Sequence, residues 1–108
     1  MAQDFERSIA NGVGTGATTL RTADSDDAIV GIMVANVTSS QITVEVYVTV
    51  RSVDYHLIKD APIPAGSSLQ VLDGGAKVVL QNGDILKVKS NTASSADVWV
   101  SVVDAIST

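Results

Sequence analysis

The sequence predicts an all-β protein, a single antiparallel β-sandwich of about eight short strands, immunoglobulin-like or jelly-roll-like. Three observations carry this. Gln41 to Arg51 alternates almost without a break: Ile42, Val44, Val46, Val48 and Val50 point one way, and Thr43, Glu45, Tyr47, Thr49 and Arg51 the other. That is the period of a strand with one buried and one wet face. Turn residues recur at spacings of roughly 8–12 residues, among them Asp73-Gly74-Gly75 and Asn82-Gly83-Asp84, which tolerate the positive φ of tight turns. Finally, apolar residues make up 45% of the 108 positions and are mostly Val, Ile, Leu and Ala, whose branched members favour the pleated surface of a sheet. Strands that alternate and strands apolar throughout both occur, which a two-sheet sandwich explains.

Residues 1–16 are expected to be a flexible N-terminal arm, and residues 17–108 the sandwich. Phe5 and Ile9 stand four apart, as on one amphipathic turn, and the glycines at 12, 14 and 16 end any helix. The segment is either a flexible lead-in or an arm that orders only against a neighbouring subunit. Phe5, the single phenylalanine, lies outside the core pattern and favours the arm.

Ala17–Ala23 reads as a short edge strand, and Asp24–Asp27 as a polar break. Ala28–Val37 is apolar on both faces and reads as a central strand, with Gly31 and Ala35 leaving room for a close neighbour. Thr38–Ser40 is a turn before the alternating strand, and Ser52–Asp54 turns into a strand over Tyr55–Lys59. Ala61–Ser90 reads as a β-meander. Pro62 and Pro64 mark a sheet-edge or loop segment, since proline denies the ladder a donor. The meander's strands are Leu69–Leu72, Val78–Leu80 and Ile85–Val88. Asp97–Ile106 is the last strand, with Val98, Val100 and Val102 on one face and Trp99, Ser101 and Val103 on the other.

Composition argues against several functions. There is no cysteine, hence no disulfide framework and no thiolate chemistry. The net charge of −5 argues against nucleic acid, whose binding needs clustered Lys and Arg. No apolar run approaches the roughly 20 residues of a membrane helix, and residues 1–10 carry no signal-peptide pattern. The protein is expected to be soluble, with no membrane partner.

No catalytic residue, cofactor site or metal site is expected, and the chain is not expected to be an enzyme. His56, the single histidine, reads as a strand surface residue; zinc needs several His or Cys ligands. Asp54 and Asp60 beside it read as turn residues. Gly12–Gly16 lacks the Lys-Ser/Thr ending of a phosphate loop. The Asp24–Asp27 run lacks the glycine and distant acidic ligand of a calcium loop. Asp26 and Asp27 are adjacent, so on a strand their side chains diverge. Asn36-Val37-Thr38 is a glycosylation sequon without a secretory context.

Four residues are candidates for subunit contacts: Phe5, Ile9, Tyr47 and Trp99. Tyr47 and Trp99 stand on the polar-phase faces of their strands. Either both faces of those strands are covered within the chain, or the aromatics belong to an interface, where Tyr and Trp are enriched.

The stretch Tyr55–Ser90, with Ala61-Pro62-Ile63-Pro64-Ala65-Gly66, Gly74–Leu80 (GGAKVVL) and Gly83–Val88 (GDILKV), together with the closing NTASSADVWVSVVDAI, resembles small all-β virion proteins carried by tailed bacteriophages. The resemblance covers roughly the last two thirds of the chain and rests on turns and core positions, which speak for fold more than for site. It implies a structural virion component, decorating the capsid or associated with neck, tail or fibres. Its partners would be other virion proteins and copies of itself, after assembly in the host cytoplasm. The alternative is a carbohydrate- or receptor-binding β-sandwich module.

Overall fold

The computed structural model describes residues 4–72 and 77–104, and among them there are nine strands and no helix. In chain order they are β1 (Asp4–Val13), β2 (Thr18–Thr22), β3 (Asp27–Asn36), β4 (Ile42–Val50), β5 (Val53–Ile63), β6 (Ser68–Leu72), β7 (Val78–Leu80), β8 (Ile85–Ser90) and β9 (Ala96–Asp104). They form two antiparallel sheets. The first runs β1-β9-β3-β6, with β7 also paired to β3; the second runs β2-β8-β4-β5. The sandwich measures 45 × 26 × 21 Å.

The core lies between the sheets. Ile42, Val44, Val46 and Val48 of β4 and Leu86 and Val88 of β8 pack against Ile29, Ile32, Val34, Val98, Val100 and Val102 of the first sheet. These are the inward positions of the alternating strands, and the buried apolar area is the main favourable term. β3 is central, as its two-sided apolar sequence predicts, and β2 is an edge strand. Pro62 sits in β5, at the other edge of the second sheet, where a missing donor costs least.

Of the described residues expected to form the arm, most are instead built into the sheet. Asp4–Val13 is β1, paired along β9 from Asp4↔Asp104 to Val13↔Ala96. A spacing of four fits one face of a strand as well as one face of a helical turn, and backbone pairing decides between them. Ala10 and Val13 turn into the core, which anchors the strand. Gly12, at φ +65°, lies in the irregularity between Ala10 and Val13 where the strand bends.

The meander is also corrected. Its three strands exist, but β6 and β7 pair in succession along the same edge of β3, and β8 belongs to the second sheet. Turn chemistry marks where the chain reverses, not which strand receives it. Asn82-Gly83-Asp84 makes a crossover between sheets. Gly83, at φ +95°, donates its N–H to the Ala23 carbonyl, and the Ala23 N–H bonds to the Asp84 carbonyl. Asp73-Gly74-Gly75 and Ala105–Ile106 lie outside the described residues. The turn placed at Ser52–Asp54 begins one residue earlier. Val50 pairs with Val53, and the two-residue loop has Arg51 at φ 51° and Ser52 at φ 69°, the geometry that matches the twist of a hairpin.

Asn36 closes one end of the sandwich. Its buried Nδ2 donates to the carbonyls of Ser40 (2.8 Å) and Ile63 (2.9 Å), and its Oδ1 accepts from the Thr38 N–H and hydroxyl. The sequon asparagine is thus a structural tie between β3 and the β5–β6 turn.

Candidate assembly surface

Residues paired across neighbouring strands share a face, so the register of the first sheet defines its outer surface. One cross-strand row reads Phe5, Val103, Ala28, Val79. A second reads Ile9, Trp99, Met33, Gln70. Between them lies the row Arg7, Ser101, Gly31. Of the eight large apolar side chains exposed among the described residues, five lie on this one face: Phe5, Ile9, Met33, Val79 and Trp99. Phe5 is 87% exposed and Trp99 48%. The Arg7 guanidinium lies 5.6 Å from the centre of the Trp99 ring, a cation–π contact. A shallow groove beside it is lined by Ile9, Asn11, Asp97 and Trp99. Asp97 is occupied there, accepting from the Asn11 side chain and the Gly12 N–H at 3.0 Å each.

The outer face of the second sheet differs. Glu45 faces Lys89 across the strands, and Tyr47 lies between Lys87 and His56. Tyr47 is buried, not wet as its phase in β4 predicts. The His56 ring packs over it at 5.0 Å between centroids, and His56 Nε2 lies 3.3 Å from Glu45 Oε1. Burial raises the Tyr47 pKa, and the nearby Asp54 and Glu45 carboxylates add to the effect. His56 is the exposed strand residue that the sequence predicts.

A third cluster joins the sheets where β1, β2, β3 and β9 meet. Arg21 of β2 reaches into the first sheet: Nε donates to Asp27 at 2.7 Å, one terminal nitrogen to Glu6 at 3.1 Å, and the other to Asp104 at 3.2 Å. Burial opposes the charge of Arg21, but its bonds to Asp27 and Glu6 outweigh that and hold its pKa above the ordinary value. Asp27, assigned to a polar break by the sequence, is the fully buried first residue of β3. Its carboxylate hydrogen-bonds Asp104 and raises the pKa of that residue; partial burial and the charge of Asp27 push the same way, while a bond from Ser25 opposes them. Asp4, Glu6 and Asp104, and likewise Asp24, Asp27 and Asp104, bring carboxylate oxygens within 4.8 Å of one another. The partners come from four segments, so no local motif could announce the cluster.

Of the four candidate contact residues, the structure gathers Phe5, Ile9 and Trp99 on one face and puts Tyr47 on the opposite one. Met33 and Val79, absent from that set, complete the patch. Met33 had a usable signal, an apolar side chain on the outward phase of a strand apolar throughout. The exposed Tyr55 stands on β5, away from Trp99.

The fold and surface define an antiparallel β-sandwich with one bare apolar face. No protein-family model matches the chain, and no curated protein matches it in sequence. Among solved structures it is similar to VP2 of infectious bursal disease virus in a subviral particle, with TM-score 0.57, 11% identity, and coverage of 95% of this chain and 33% of that one. A chain from the viral particle of the same virus gives TM-score 0.55, 9% identity, and coverage of 95% and 31%. The chain thus spans about a third of those viral chains. It is also similar to a subunit of the Bacillus endospore appendages, which form disulfide-linked pili, with TM-score 0.54, 13% identity, and coverage of 98% and 88%. At these identities the likeness is one of fold.

Proposed function

We propose that this chain is a structural component of a virion that acts by binding neighbouring subunits through the outer face of its first sheet, not by catalysis. The single observation that carries this is the concentration of Phe5, Ile9, Met33, Val79 and Trp99 on one face. Contiguous exposed apolar patches of more than a few hundred Å² on a small domain mark interaction surfaces. The fold likeness to chains of viral particles supports the virion class. The resemblance of Tyr55–Ser90 to tailed-bacteriophage proteins supports the finer reading, a capsid-decorating or neck-, tail- or fibre-associated subunit. A glycan-binding module would want aromatics converging on one surface, whereas Tyr55 and Tyr47 stand away from Trp99, and Phe5 shares the face of Trp99 but lies two cross-strand rows off.

The test is incorporation. Virus carrying Trp99→Asp together with Phe5→Asp is grown, and purified particles are assayed for the chain by mass spectrometry. The expected result is loss of the chain from particles while the isolated variant unfolds at the wild-type temperature. Wild-type incorporation of that variant overturns the reading.

A further inference from the structure

We infer that the occupant of this face is a second copy of the same chain, its own first sheet packed face to face in a closed two-fold dimer. The inference rests on the binding role proposed above and names the partner.

Three observations lead there. The first is area. Four strands at about 4.8 Å spacing and ten residues at about 3.3 Å rise give a face of about 600 Å². Two copies would bury about 1,200 Å², the lower bound of specific interfaces. Flat apolar sheet faces are covered well by another sheet about 10 Å away.

The second is the mismatch of the alternative. If the face met the outer face of the second sheet on another copy, it would bury Glu45, Lys87, Lys89 and the His56–Glu45 pair against apolar rows. Burying charge without new partners is costly. First sheet against first sheet sets the apolar rows on each other and buries one charge per copy in the row between them, that of Arg7, which already lies over the Trp99 ring; a contact between identical patches closes as a pair instead of propagating as a fibre.

The third is Gly31, between the two apolar rows. Its φ is not positive, and a Cβ there would meet only ordinary contacts, the nearest being the Leu72 carbonyl oxygen and Ser101 Cβ at 3.8 Å. A side chain would therefore fit there, although glycine weakens a strand interior through its entropy. The register shifts between Ile29 and Gly31, so a bulge in β3 is one reason for glycine at this place, and a close approach from outside is a second. The saddle formed by Gly31 and Ser101 suits a ridge such as Trp99 and Met33 of the facing copy.

The experiment is sedimentation equilibrium of the isolated chain over a concentration series, with thermal unfolding of each variant alongside. The wild type is expected to reach a dimer and no larger species. Trp99→Asp should be monomeric, and at dilutions where the wild type is monomeric too the two should share an unfolding midpoint. At those dilutions Gly31→Ala should unfold at the same or a higher temperature, yet dimerise about tenfold more weakly, from overpacking at the contact. Tyr55→Ser, away from the face, should dimerise as wild type. A wild type monomeric throughout overturns the dimer. The particle assay then separates the cases: if Trp99→Asp with Phe5→Asp is still excluded from particles, the face binds a different protein; if it is incorporated, the binding role falls too. Open-ended polymers overturn the two-fold geometry, and wild-type dimerisation by Gly31→Ala overturns the close approach.

Discussion

On the outer face of the second sheet Tyr47 is packed under His56, which is itself anchored on Glu45. On the outer face of the first sheet Trp99 has the edge of Arg7 for cover, and Phe5 stands 87% exposed. Both faces come from alternating or near-alternating strands of similar length. One is finished by its own side chains, and the other leaves its apolar rows to solvent. Side chains that bury little area within the chain contribute little to its stability, at about 25 cal/mol per Å² removed from water. The bare face therefore does little for folding, and the covered face is part of the fold.

Substitutions on each side can sharpen or break this contrast. The largest effect is expected where the sheets are tied. Arg21→Ala leaves the buried Asp27 carboxylate without its guanidinium, and should cost about 3–5 kcal/mol in chemical denaturation. A loss below about 1 kcal/mol, the level of a surface pair, would mean that the sheets are held by the core alone. Next, Tyr47→Ala should cost about 3 kcal/mol, the lower end for removing a packed aromatic, while Phe5→Ala on the other face should change stability by no more than about 0.5 kcal/mol. Equal costs for these two would erase the distinction between the faces.

The smallest effect is one of pH. The Asp104 pKa is raised in the folded state above the ordinary value of 3.8, chiefly by its hydrogen bond with Asp27. The folded state then binds more protons than the unfolded one, so this group's contribution is fully present below 3.8 and is lost as pH rises through the folded pKa. Asp104→Asn should flatten that part of the stability–pH curve. A curve parallel to wild type from the carboxylate range to neutrality would contradict the assignment.

Much of the fold was legible because it is local. The alternation of Gln41–Arg51 fixed which side of β4 is core, and the two-sided apolar run of Ala28–Val37 marked a central strand. Pairing was not local. Nothing in Leu69–Leu72 or Val78–Leu80 says that both dock on β3, since the choice rests on strands more than thirty residues away. Phe5 was marked by lying outside the core pattern, but its strand was hidden because few large apolar residues in Asp4–Val13 turn inward and backbone pairing with β9 supplies the order. Tyr47 misled because alternation reports which face a side chain takes, not whether a neighbouring strand covers it. The Arg21 cluster was illegible, as its acidic partners stand 6, 15 and 83 residues away along the chain.

The central claim is that the outer face of the first sheet is covered by a neighbour in the assembled particle, and hydroxyl-radical footprinting read by mass spectrometry tests it directly. In the isolated chain at low concentration Trp99, Met33, Phe5 and Tyr55 should all be oxidised. In the particle Trp99, Met33 and Phe5 should be protected while Tyr55 of β5 keeps its labelling. Equal oxidation of Trp99 and Phe5 in both states would contradict the account.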